Sequence, residues 1–154
     1  MIWFKRLIFS ASFLTLCVVV FGAYVRLTDA GLGCPDWPGC FGTLTVPESE
    51  FAIMEAQGLY PGSIVEVGKA WREMIHRYLA GILGLLILLI SFVSYKIRQQ
   101  LKVGLALPFI ILALVIFQAT LGMWTVTELL KPAIVTAHLM GGMTILALLT
   151  YLTH

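Results

Sequence analysis

Charge is scarce in this sequence. Ten Lys and Arg and eight Asp and Glu make up 12% of 154 residues, while 60% are hydrophobic and the mean hydropathy is +0.96. Soluble domains carry roughly 25% charged residues, so this composition excludes one and indicates an integral membrane protein. A strong basic surplus is missing as well. The net charge is +2, the pI is near 8.5, and the cations sit in small clusters at segment ends rather than in a stripe, which excludes a nucleic-acid partner. The marks of a cleaved leader are also absent. Lys5 and Arg6 precede the first apolar run, but that run is longer than a signal-peptide core of about 15 residues and no A-x-A-like site follows it. No Arg- and Ser-rich transit peptide precedes it either, so a retained first helix is expected.

Four apolar stretches can each cross a hydrocarbon core, which takes about 20 residues of helix. They cover residues 7–25, 74–95, 103–124 and 132–153. Lys5 and Arg6 flank the first, and Lys96, Arg98 and Lys102 fill the turn between the second and third, with no acidic residue in either place. The positive-inside rule puts both places, and with them both termini, in the cytoplasm. The loop 27–72 then lies outside, carrying Asp29, Asp36, Glu48, Glu50, Glu55 and Glu66. The expected fold class is an all-α membrane protein: a single four-transmembrane-helix bundle over 1–154, lipid around it, with a long extracytoplasmic first loop.

That loop is too long to be a simple connection. Within it, "PESEFAIMEAQG" has Pro and Glu in a first turn, apolar Phe51, Ile53 and Met54, and Gly58 as a stop. This pattern predicts a short amphipathic helix on the membrane surface, followed by a turn at "YPGS". Cysteine is nearly missing: there are three. Cys34 and Cys40, on the side where disulfides persist, are expected to pair, as a structural staple or as a reversible redox couple. Zinc is disfavoured because no third or fourth ligand lies nearby. Trp37 between two prolines marks an interface belt, and Cys17 in the first span reads as inert core.

Ionisable groups inside a span are costly and are functional candidates by default. Glu73, His76 and Arg77 lie at the outer end of the second span and His138 near the outer end of the fourth, whereas His154 is terminal and has no claim. At about 1.5 Å per residue, both imidazoles sit roughly 6–9 Å below the outer boundary. Two histidines at one level on two helices of a bundle suit the axial ligands of a haem iron. Gly81, Gly84, Gly141 and Gly142, just inward of them, would leave room for a macrocycle. The alternative is that the histidines hydrogen-bond between helices and the glycines permit close packing. Glu73 shares a face with His76 and also stands one turn before Arg77, its possible ion-pair partner. Arg77, Arg26 and Arg72 are candidates to hold haem propionates, though Arg26 and Arg72 also fit simple boundary markers.

"GAYVRLTDAGLGCPDWPGCFG", "EMIHRYLAG", "LGMWTV" and "VTAHLMGG" occur in that order between Gly22 and Gly142, and together they resemble the haem A synthase family. The resemblance implies oxidation of one porphyrin methyl of haem O to a formyl group by successive hydroxylations, giving haem A for cytochrome oxidase. It implies residence in the bacterial cytoplasmic membrane and an eight-helix arrangement of two similar halves, of which this chain matches the N-terminal half. His76 and His138 then correspond to that half's iron ligands, Glu73 to the acidic residue acting in the reaction, and Cys34 and Cys40 to the outer-loop cysteines. A haem b belongs to the other half. Four helices are a departure from eight, and either a homodimer or a further C-terminal half would restore them. Haem O synthase and cytochrome oxidase assembly proteins are possible partners. Two other functions compete: a two-histidine haem b electron carrier, and a non-catalytic assembly subunit.

Overall fold

A computed structural model describes residues 2–100 and 104–153; Lys102, Val103 and His154 lie outside the described residues. The chain forms α1 (Ile2–Leu27), α2 (Glu50–Leu59), α3 (Val67–Lys96), α4 (Ala106–Thr127) and α5 (Pro132–Thr153), with one short 3-10 turn after α3. All but α2 are long and apolar enough to span a membrane. Helix is the conformation such segments must take, because lipid offers nothing to an unpaired backbone N–H or C=O. Two buried hydroxyls of α1 obey the same constraint: Ser12 donates to the Ile8 carbonyl and Thr15 to that of Ala11.

α1 packs on α3 and α5, and α4 packs on the same two. The four spans therefore form a ring in which α3 and α5 face each other diagonally. Phe4, Ile8, Ala11 and Val18 of α1 meet Leu83, Ile87 and Ile90 of α3, Ile111 of α4, and Ile145, Leu149 and Leu152 of α5 in one apolar core. This core fills the half of the bundle remote from the long loop. Outside the ring, Phe9, Leu85 and Ile116 are exposed and face lipid.

A second core holds the loop. Cys34, Cys40, Phe41, Val46 and Ala56 bury themselves against Ala70 and Met74 of α3, with Tyr60, Val65 and Trp71 around them. Cys34 and Cys40 are joined by a disulfide. Gly33 approaches α3 so closely that a Cβ would stand 2.7 Å from the backbone nitrogen of Ala70, which leaves no room for any other residue.

The ends of three spans differ from the sequence expectation: α4 covers Ala106–Thr127 rather than 103–124, and α3 and α1 are longer than expected because charged residues interrupt their apolar runs. α3 starts at Val67, well before Met74, and the loop is shorter to match. Lys69, Arg72 and Glu73 interrupt the apolar run, so hydropathy hides the first two turns, which are helical because Ala70 and Trp71 pack on the loop core. α1 likewise extends beyond 7–25 at both ends. The surface helix is present as α2, but Pro47 lies ahead of its first turn, and Ser49 caps it: the Ser49 side chain accepts from the Ala52 N–H at 3.2 Å. "YPGS" does turn, and Gly62 supplies the positive φ of 90°.

Candidate functional site

His76 and His138 project into the bundle from the two diagonal helices. Each stands seven residues, two helical turns, toward the loop from a fully packed core residue of its own helix, Leu83 or Ile145. The rings therefore share the interior-facing stripe of α3 and α5. α1 provides an independent check of depth, since its Gly22 lies against His76 and its Val19 against Gly142, one turn inward of His138. With about 1.5 Å of rise per residue, the two imidazoles are level to within roughly 2 Å.

Each imidazole rests on a glycine of a neighbouring helix. A Cβ on Gly22 would stand 2.7 Å from Cε1 of His76 and 3.2 Å from its Nε2, and a Cβ on Gly122 of α4 would stand 3.3 Å from Cε1 of His138. The glycines singled out from sequence do something else. Gly81 borders open space on the outer surface, Gly84 is in ordinary contact with Val115, and the notch at Gly141 and Gly142 is filled by Gln118 and Val19. Room for the rings comes from Gly22 and Gly122, which a scan along each histidine's own helix misses. A signal existed, because both glycines stand in the motifs "GAYVRL" and "LGMWTV".

The Nδ1 atoms of both histidines are buried and have no hydrogen-bond partner among the described residues. Hydrogen bonding between helices thus does not account for two polar rings in an apolar interior. Among the described residues, no group of three or more His, Cys, Asp or Glu side chains could hold a metal ion. A lone pair of facing imidazoles fits a porphyrin iron, which takes its remaining bonds from the macrocycle and needs only two from protein. It does not fit zinc, which takes three or four protein ligands.

Glu73 and Arg77 clip the disulfide loop to α3. Arg77 Nη2 donates to Glu73 Oε1 at 2.6 Å, with side chains only 12% and 6% exposed. Glu73 Oε2 accepts from the Cys34 N–H at 2.9 Å, and Arg77 Nη1 donates to the carbonyls of Asp36 at 2.9 Å, Pro38 at 3.3 Å and Gly39. Trp71 Nε1 donates to Glu48 and the Tyr78 hydroxyl to the Leu44 carbonyl, extending the seam along α3. Arg77 is thus committed to the loop, and Arg72 folds back on the Gly68 carbonyl. Arg26, at the loop end of α1, is half exposed and 3.8 Å from Asp29. The clip places the buried Glu73 carboxylate one turn from His76 on the same helix.

Gly22→Ala tests the cradle. The new methyl meets the far end of a side chain, so the fold should lose only about 1 kcal/mol, whereas the His76 ring must turn away. Binding of hemin, followed by its Soret band, should weaken clearly in this variant, and an unchanged titration would show that the ring has another place to go.

A family profile described as cytochrome oxidase assembly protein matches residues 5–154. The haem A synthase of Shewanella oneidensis is 51% identical over 138 residues, which are 90% of this chain and 41% of that protein. The haem A synthases of Oceanobacillus iheyensis and Agrobacterium fabrum are 31% and 30% identical, over 96% and 82% of this chain and 43% and 37% of theirs. The chain thus spans about two fifths of the length of these relatives. No solved structure matches it.

Proposed function

The chain belongs to the family of cytochrome oxidase assembly proteins, and we propose that it is the haem O-binding part of a haem A synthase, an oxidoreductase converting one porphyrin methyl of haem O to the formyl of haem A. The observation that carries this is the level, unpartnered histidine pair on diagonal helices. It stands beside a buried carboxylate, an arrangement that an iron carrier alone would not need. Bound haem O brings an iron able to take part in oxidation of its own periphery.

The protein's contribution is to hold, orient and shield. His76 and His138 would hold the haem iron, and Gly22 and Gly122 let their rings reach the interior. The apolar core closes the bundle on the inward side and the disulfide loop packs on the outer end of α3, an arrangement that would help keep water from the reacting carbon. Glu73, fixed by Arg77 and the Cys34 N–H, is the catalytic residue: a carboxylate held beside the ligand helix can stabilise the positive charge left when an external acceptor withdraws electrons from the ring methyl, or take the proton that the carbon then sheds. Arg26 is left to meet a propionate. The loop end faces out of the bacterial cytoplasmic membrane, in line with Lys5, Arg6, Lys96 and Arg98 at the other end. A second four-helix unit, from another copy or from a further half carrying a haem b, completes the eight-helix arrangement.

Pigment extraction from detergent-purified protein made with a supply of haem O tests this. Recovery of haem O or haem A is expected, with haem A lost in Glu73→Gln while haem O stays bound. Protein that yields only haem b, or none, overturns the proposal.

A further inference from the structure

Gln118 is the one amide side chain inside a span among the described residues. In an apolar interior such a group is costly unless it is paired, and it is a functional candidate for that reason. It lies on α4, one turn inward of Gly122, and its Nε2 donates to the backbone carbonyl of His138 at 2.5 Å. Its Oε1 occupies the space where a Cβ on Gly141 would stand, and its Nε2 is 3.5 Å from the corresponding point on Gly142. A carbonyl has two acceptor lone pairs, so His138 can accept this bond and still take part in its own helix. The amide is thus seated in a notch cut by two glycines, and it grips the backbone of the residue that carries the imidazole.

We propose that Gln118 is a positioning residue for His138, locking the height and rotation of α5 against α4 so that the ring meets the iron in one orientation. The proposal rests on the haem-ligand assignment above. It goes beyond that assignment by giving the ligand's backbone a dedicated anchor that never touches the ring. Gly122 sets where the ring lies and Gln118 sets where its Cα lies, so together they leave His138 little freedom. Interhelical packing alone would need no hydrogen bond to this particular carbonyl.

The experiment compares the full chain, loaded with hemin in detergent, with Gln118→Leu, Gln118→Met, Gly141→Ala and the control Thr120→Val. Thr120 is also on α4, but its hydroxyl bonds its own helix at Ile116. Electron paramagnetic resonance of the ferric form reads the relative orientation of axial imidazoles, and a hemin titration reads affinity. Gln118→Leu should broaden and shift the low-spin signal and weaken hemin binding about tenfold, the size of one lost hydrogen bond. Gly141→Ala should give the same shift although Gln118 is retained, because its methyl evicts the amide. Gln118→Met, of similar length but without a donor, should resemble Gln118→Leu, and Thr120→Val should match the wild type. If Gln118→Leu does not fold, Gly141→Ala and Gln118→Met carry the test. A normal low-spin signal and affinity in the Gln118 and Gly141 variants overturns the positioning role while leaving the ligand assignment intact. A wild type lacking a two-imidazole signal overturns both.

Discussion

Replacing either His76 or His138 with alanine should abolish the low-spin haem spectrum, and the two variants should behave alike. An iron held by two imidazoles loses its low-spin state when one is removed, and the remaining imidazole cannot compensate from across the bundle. The loss of haem affinity should exceed the roughly 10- to 100-fold caused by removing a mere supporting partner of a metal ligand. The fold should survive, because the apolar core lies two turns further in and includes neither ring. Alanine at either site also removes a buried, unpartnered Nδ1, so the empty variants should melt no earlier than the empty wild type. Differential melting with and without hemin separates the two effects.

Arg77→Ala is expected to cost about 3–5 kcal/mol, the penalty for stranding a buried charge. It leaves the Glu73 carboxylate without its cation and three loop carbonyls without their donor. Glu73→Gln should be milder, about 1–3 kcal/mol, because Arg77 keeps its three loop carbonyls, although the amide offers one acceptor oxygen to the two donors, Arg77 Nη2 and the Cys34 N–H. Removing both partners should cost less than removing Arg77 alone. The loop and the bundle have separate cores, so in Arg77→Ala the segment between α1 and α3 should become sensitive to protease before the spans melt. Equal protease resistance in Arg77→Ala and wild type would mean that the apolar contacts of the loop suffice without the clip. The difference between the two replacements has a practical consequence: Glu73→Gln, not Glu73→Ala, is the variant whose loss of haem A reports on chemistry rather than on a displaced loop.

The four spans were legible because each is an unbroken apolar run, and lipid allows such a run no conformation but helix. The histidine pair was legible because an ionisable group is conspicuous there. The first turns of α3 were not, since Lys69, Arg72 and Glu73 look like loop until their helix is seen packed beneath the Cys34–Cys40 disulfide. Gly22 and Gly122 escaped for a related reason. Space at a ring is made by the helix facing it, and which residues face depends on a register that no single segment contains. Arg77 looked free to meet a propionate because its partners, the carbonyls of Asp36, Pro38 and Gly39, are backbone atoms and leave no trace in residue identity. Gln118 could have been found by the same rule that found the histidines. An amide in "VIFQATLG" is as foreign to lipid as an imidazole, and its partner is again a carbonyl.

Near-infrared magnetic circular dichroism of the ferric, haem-loaded wild type assigns axial ligands by the energy of the porphyrin-to-iron charge-transfer band. Two neutral imidazoles are expected, with that band lost in His76→Ala and in His138→Ala. A high-spin spectrum from the wild type, or a two-imidazole band surviving either replacement, would contradict the assignment of these residues as the pair that grips the iron.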